Sequence, residues 1–176
     1  MKKKRMEIIS KFTIGSDEGV DDLFTVIKSS VTTIYKELIS EEEIKQYIED
    51  WDPRKMINEL NNLSNQLIIT YADHKPIGYG ILKSGSGYPG SSEEKRLTEL
   101  NFVILKEYNN SETRESLWKK CRAAASFTDI IWTNILTEDP LLEFLKETGF
   151  SIKENTQSTP FQLPSYIIEM QVSKNQ

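Results

Sequence analysis

Between residues 23 and 60 apolar side chains recur every three or four positions; from Gln66 they alternate, and only two later stretches return to the helical spacing. This change of period constrains the chain most, because spacing near 3.6 builds a helix with one buried stripe and alternation builds a strand with one buried face. Residues 7–14 read as a first strand, and Gly15-Ser16-Asp17-Glu18 as a turn and helix start. Leu23, Ile27, Ser30, Ile34 and Leu38 form one stripe, predicting a core-facing helix through about Glu37. Ser40-Glu41-Glu42-Glu43 is a capping box opening a second helix through Ile44, Tyr47, Ile48 and Trp51, and Asp52-Pro53 starts a third.

Residues 67–71 and 76–82 read as a hairpin turning at Asp73-His74-Lys75, which places His74 in an exposed turn. The Gly/Ser/Pro-rich stretch 84–95 reads as a mobile loop within one domain spanning 1–176. It lacks the Gly-Lys-Ser/Thr ending of a phosphate-binding loop. A strand over 97–105 precedes a helix opened by Asn109 to Ser111, in which Cys121 shares an apolar face with Leu117 and Trp118 as a buried thiol. A strand over 129–136, a helix from Asp139-Pro140 to Gly149, and strands over 150–155 and 166–172 complete an α/β order on a mixed sheet.

Composition removes several classes of function. One cysteine and one histidine leave no Cys-rich zinc site, no intramolecular disulfide and little scope for His-based chemistry, so no metal is expected. With 22 basic and 27 acidic residues, a net charge of -5, nucleic acid is the wrong partner and a cationic small molecule a better one. No apolar stretch follows Lys2-Lys3-Lys4-Arg5 and no segment has the roughly 18 apolar residues of a membrane span. The expectation is a cytoplasmic protein, without membrane contact, whose residues 1–6 are a disordered basic tail.

Glu59-Leu60-Asn61-Asn62, Ile77-Gly78-Tyr79, Ile104-Leu105-Lys106-Glu107-Tyr108 and the helix ending in Gly149-Phe150 carry a resemblance. Over nearly its whole length the chain resembles the GCN5-related N-acetyltransferase (GNAT) superfamily, and within it small bacterial members similar to spermidine/spermine acetyltransferases. The resemblance implies a mostly antiparallel twisted sheet with a central parallel pair, strands 97–105 and 129–136, joined by the helix near 112–126. It also implies acetyl-coenzyme A as co-substrate and a small-molecule or peptide amine as acceptor; the sequence leaves the oligomeric state open, a homodimer included.

Site residues follow from the same resemblance. Phe102, Val103 and Ile104 lie where backbone amides, those of Val103 and Ile104 above all, polarise the thioester and pair with the pantetheine arm. Asn109, Asn110, Ser111, Glu112, Thr113 and Arg114 occupy the coenzyme A diphosphate loop, where the family pattern is glycine-rich. Asn110 is the residue there that tolerates a left-handed turn. A carboxylate such as Glu112 about 5 Å from a diphosphate costs roughly 3 kcal/mol at an effective dielectric near 20, which an inward Arg114 would offset. Leu145 stands where a tyrosine acid is common, within an amphipathic core helix, and Glu138 where asparagine is common. An amine with a pKa near 10 must lose a proton before attack. Glu99 is the first candidate acceptor of that proton, with Glu138 and Tyr79 after it, while a surface-facing strand glutamate is the other reading of Glu99. Two functions follow: an acetyl-coenzyme A-dependent N-acyltransferase, or a catalytically impaired domain of this fold that binds a ligand or partner. A third, an unrelated α/β binding module, requires that the two central strands not splay.

Overall fold

The computed structural model describes residues 2–172; Met1, part of the expected tail, and residues 173–176 lie outside the described residues. Seven strands form one sheet in the order β1-β2-β3-β4-β5-β7-β6. They are β1 (Ile8–Thr13), β2 (Asn65–Ala72), β3 (Lys75–Ser84), β4 (Leu97–Ile104), β5 (Ile130–Leu136), β6 (Ser151–Gln157) and β7 (Pro164–Gln171). The helices are α1 (Asp17–Ile34), α2 (Glu41–Glu49), α3 (Pro53–Leu60), α4 (Ser111–Ala124) and α5 (Leu142–Thr148). Only β4 and β5 pair in parallel, joined by α4, and every other neighbouring pair is antiparallel.

The starts of α1, α2, α3 and α4 are set by side chains that satisfy free amides. Ser16 accepts from the Gly19 amide, Ser40 and Glu43 close a reciprocal capping box, Asp52 accepts from Arg54 and Lys55, and Asn110 from Thr113. The β2–β3 hairpin turns on Asp73 and His74, both at positive φ (45° and 71°), a conformation that matches strand twist and that Asp and His tolerate.

Alternation divides the sheet between two cores. Leu67, Ile69, Ile77, Tyr79 and Ile81 pack against α1 and α2, whereas Ile68, Leu82, Leu100, Phe102 and Ile104 pack against α4 and α5. Gly80 lets α4 come close: a Cβ there would stand 2.5 Å from Cys121 Sγ. Cys121 is fully buried, and burial pushes its thiol pKa up, which leaves it inert as a nucleophile.

α1 ends three residues before the stripe predicts. Its last helical residue is Ile34, and Tyr35 caps it by donating its amide to the Val31 carbonyl. Tyr35 turns its ring edge-on to Phe161, 4.8 Å between centroids, and Leu38 is left 46% exposed. The lower end of the stripe therefore walls a cleft instead of filling the core. Among the described residues no helix is long and apolar enough to cross a membrane, and no cluster of three His, Cys, Asp or Glu is placed to hold a metal ion.

Candidate active site

β4 and β5 pair only at Leu97/Ile130, Thr98/Ile131 and Glu99/Trp132, after which the two strands separate. Both continue: β4 stays in register with β3 as far as Ile104, and β5 with β7 as far as Leu136. The Arg96 carbonyl accepts from Asp129 and Ile130 on the β5 side, while the Leu105 amide donates to Ile77 on the β3 side. Strand alternation then turns the backbone groups of Leu100, Phe102 and Ile104 toward the gap and those of Val103 toward β3. A backbone row with no β5 partner is a place for a guest that hydrogen-bonds like a strand.

Cavities open on both sides of the split. One, of about 350 Å³, lies beneath α1, α2 and α3 and is walled by Tyr35, Tyr47, Trp51 and Tyr79. Three carboxylates, Glu59, Glu99 and Asp139, reach it against one ammonium, Lys83. The other, of about 390 Å³, lies between the end of α1 and the turn after β5, with largely apolar walls that include Leu38, Ile104, Leu105, Leu141 and Leu163. Ser30, Ile34, Phe102, Val103, Leu136 and Asp139 line both.

Comparison with known proteins gives a likeness of fold. No protein-family model matches the sequence, and no curated protein matches it. Solved structures do. A PaiA N-acetyltransferase from Thermoplasma acidophilum in complex with coenzyme A is similar at 20% identity and a TM-score of 0.72, covering 94% of this chain and 99% of that one. A GCN5-related N-acetyltransferase from Rhodopseudomonas palustris is similar at 14% identity and a TM-score of 0.67, over 96% and 99% of the two chains. A chimeric spermidine N-acetyltransferase from Vibrio cholerae and hSSAT is similar at 15% identity and 0.62, again over 96% and 99%. This chain has the GNAT fold.

In this GNAT fold the phenols of the first cavity stay protonated. Burial, with smaller contributions from Tyr47 and Asp139, pushes Tyr35 up to about 12. Burial also raises Tyr47, and it raises Tyr79 further, with Tyr47 and Tyr35 adding and a hydrogen bond to Asn101 opposing. These groups can orient a ligand but not take its proton at neutral pH. Asp139 is half-buried; desolvation raises its pKa, and the Leu141 amide, donating to Oδ1 at 2.8 Å, acts in the other direction.

Glu99 faces the first cavity, across the ladder from Lys83 and beside Trp132. Ser86 Oγ donates to its Oε2 at 2.9 Å, and Trp132 Nε1 donates to the Ser86 carbonyl at 2.7 Å. Tyr88, further along the same loop, packs edge-on to Trp132 and donates to Glu169. The segment read as a mobile loop thus has two residues held to the sheet, Ser86 at Glu99 and Trp132 and Tyr88 at Trp132 and Glu169. No bulge interrupts β4, so its odd positions all share the Glu99 face. Glu138 is exposed and lines the second cavity, apart from Glu99.

Of the residues expected near the coenzyme, Phe102 and Val103 line both cavities, and Ile104 and Asn109 the second. Asn110 does not take the left-handed conformation: its φ is -135°, because it serves as the N-cap of α4. Ser111, Glu112, Thr113 and Arg114 form the first turn of α4. Thr113 is fully buried, and Glu112 pairs outward with Arg5 at 3.2 Å. Arg114 donates to Asn109 Oδ1 at 3.0 Å and lies 5.5 Å over the Phe144 ring. Leu145 is core, 1% exposed, as the amphipathic spacing requires. Sequence reasoning missed Asp139, Tyr35, Tyr47 and Ser86. Asp139-Pro140 looks only like a helix start, Tyr35 continues a stripe, Tyr47 looks like core on α2, and Ser86 lies in a loop without periodicity.

Proposed function

We propose that this chain is an acyl-coenzyme A-dependent N-acyltransferase that moves an acetyl group from acetyl-coenzyme A to a small cationic amine or a peptide amine by direct transfer. The observation that carries the reading is the split: two parallel strands that part after three pairs, exposing one strand's backbone to a gap flanked by cavities on either side. The coenzyme A bound to the Thermoplasma protein of the same fold supports it.

The donor side suits an acyl thioester in part. The amides of Phe102 and Ile104 face the gap and would hold an extended amide-bearing arm and polarise the thioester carbonyl. At α4 the amides of Ser111 and Glu112 have no intrahelical partner and would take phosphate oxygens, with Arg114 next to them. On the acceptor side Glu59, Glu99 and Asp139 against Lys83 favour a cation, and the rings of Tyr35, Tyr47 and Trp51 suit its apolar stem. Glu99 accepts the proton that the amine must lose.

One observation favours the second reading, a ligand-binding domain that has lost transfer. The Asn110 side chain already occupies the Thr113 amide, and Glu112 adds negative charge where phosphate would sit. Calorimetry with acetyl-coenzyme A decides between them. Micromolar binding together with acetylation of a diamine or polyamine is the expected result; no binding at millimolar concentration overturns the transferase reading.

A further inference from the structure

Six residues line both cavities, so on the transferase reading a thioester spanning the split would pass between them. Four of them, Ile34, Phe102, Val103 and Leu136, have hydrocarbon side chains, and the Ser30 hydroxyl donates to the Ile27 carbonyl at 3.0 Å. Asp139 alone among them carries an ionisable side chain. Its Oδ1 is fixed by the Leu141 amide, which leaves Oδ2 to hold a proton.

We propose that Asp139, as a carboxylic acid, protonates the departing thiolate. The inference rests on the transferase reading above. The amine nitrogen forms its bond to the acyl carbon, the carbon–sulfur bond breaks with its electron pair on sulfur, and the Oδ2 proton passes to sulfur. The proton shed by nitrogen passes to Glu99, and exchange with water returns Glu99 to carboxylate and Asp139 to acid. Burial supports this role, because it keeps the neutral form to higher pH than in a solvated aspartate. Beside Tyr35, Tyr47 and Tyr79, the charged side chains that line the two cavities Asp139 faces are Glu59, Glu99 and Lys83 on one side and Glu37, Glu138 and Lys106 on the other.

The test is Asp139→Asn, which keeps an acceptor for the Leu141 amide but has no acidic proton. Turnover with acetyl-coenzyme A should fall by about 10² at pH 7, a normal size for acid catalysis, with calorimetric affinity within about threefold. Parent turnover should decline as pH rises through the Asp139 pKa, and that decline should be absent from the variant. Asp139→Glu, which keeps the acid, should recover at least about tenfold over Asp139→Asn.

A readout on the free protein stands beside these. The folded-state pKa is raised, so Asp139 favours folding at low pH and loses that contribution as pH rises through the folded value. The melting temperature of Asp139→Asn should therefore gain on the parent toward pH 8, and the difference should vanish toward pH 4. Variant turnover within threefold of an active parent, or a melting difference flat with pH, overturns the proposal and leaves the transferase reading standing. A parent that neither binds nor uses acetyl-coenzyme A overturns both.

Discussion

Beneath α1, α2 and α3 the cleft is walled by side chains, three carboxylates and a group of rings around one lysine, whereas at the start of α4 what is on offer is backbone. The amides there belong to a helix whose first turn brings a carboxylate of its own. A surface that recognises through side chains changes with every substitution; one that recognises through N–H groups loses only the donors that a side chain caps, here the Thr113 amide. On the proposed function, the absence of a glycine pattern over residues 109–114 should therefore weigh less on the donor than removal of Glu99 or Asp139 on transfer. The Arg5–Glu112 pair does not alter this, being 84% and 49% exposed on its two sides, a setting in which ion pairs contribute little.

The largest effect should come from the side-chain wall. Glu99→Gln keeps shape but not basicity, so turnover should drop by roughly 10² or more at pH 7 while acetyl-coenzyme A affinity stays within about threefold. The loss should shrink as pH rises, because more of an amine with a pKa near 10 then arrives deprotonated. Turnover within a factor of three of the parent would remove Glu99 and break the contrast between the two regions.

Next in size is a test of what seats the backbone side. The α4 start is positioned by the fit of its helix on β3, where a Cβ on Gly80 would stand 2.5 Å from Cys121 Sγ. Gly80→Ala should cost about 1–3 kcal/mol, the usual range for overpacking a core, and lower the melting temperature by several degrees. A melting temperature equal to the parent's would mean that α4 slides freely and that its amides are not held for any ligand.

How much of this was legible in the sequence depends on where periodicity reaches. The strands at 97–105 and 129–136 and the helix between them follow from alternation and from a 3.6-residue stripe carrying Leu117 and Cys121, whereas their parallel pairing follows from the resemblance to the GNAT superfamily. The face of Glu99 follows from the same alternation, once β4 proves to run without a bulge. Asp139 was not legible, because the same Asp-Pro pair that shapes the turn into α5 also hides a carboxylate where two cavities meet. Nor was the extended backbone of Asn110: an asparagine ahead of a helix serves equally as left-handed turn or N-cap, and it is the Thr113 amide that selects the cap. Ser86 and Tyr88 find their partners, Glu99, Trp132 and Glu169, across the sheet and not along the chain.

A smaller effect probes the charge at α4. Glu112→Gln removes one negative charge from the first turn and leaves Arg5 without its partner. Acetyl-coenzyme A should bind about three- to tenfold tighter at low ionic strength, and the gain should fade toward 1 M salt, where the screening length is about 3 Å. The same affinity at low salt would place the phosphates away from this turn, and the backbone side of the contrast would need another location.

The smallest effect sharpens the side-chain wall itself. Ser86 touches Glu99 only through its hydroxyl, while its carbonyl is held independently by Trp132 Nε1, so Ser86→Ala should leave the loop seated and free one carboxylate oxygen. A hydrogen bond to a charged group contributes about 1.5–3 kcal/mol in general, but Glu99 stays in place through its strand and keeps Lys83 across the ladder. The cost should therefore appear as a loss of about three- to tenfold in turnover, with acetyl-coenzyme A affinity unchanged. Ser86→Thr, which restores the hydroxyl, should recover most of it. If Ser86→Thr is as slow as Ser86→Ala, the loop and not the hydroxyl is what matters, and Ser86 acts on the shape of the cleft. If neither variant slows turnover, Glu99 needs no partner beyond its own strand, and the side-chain wall is held as rigidly by the sheet as the α4 amides are by their helix.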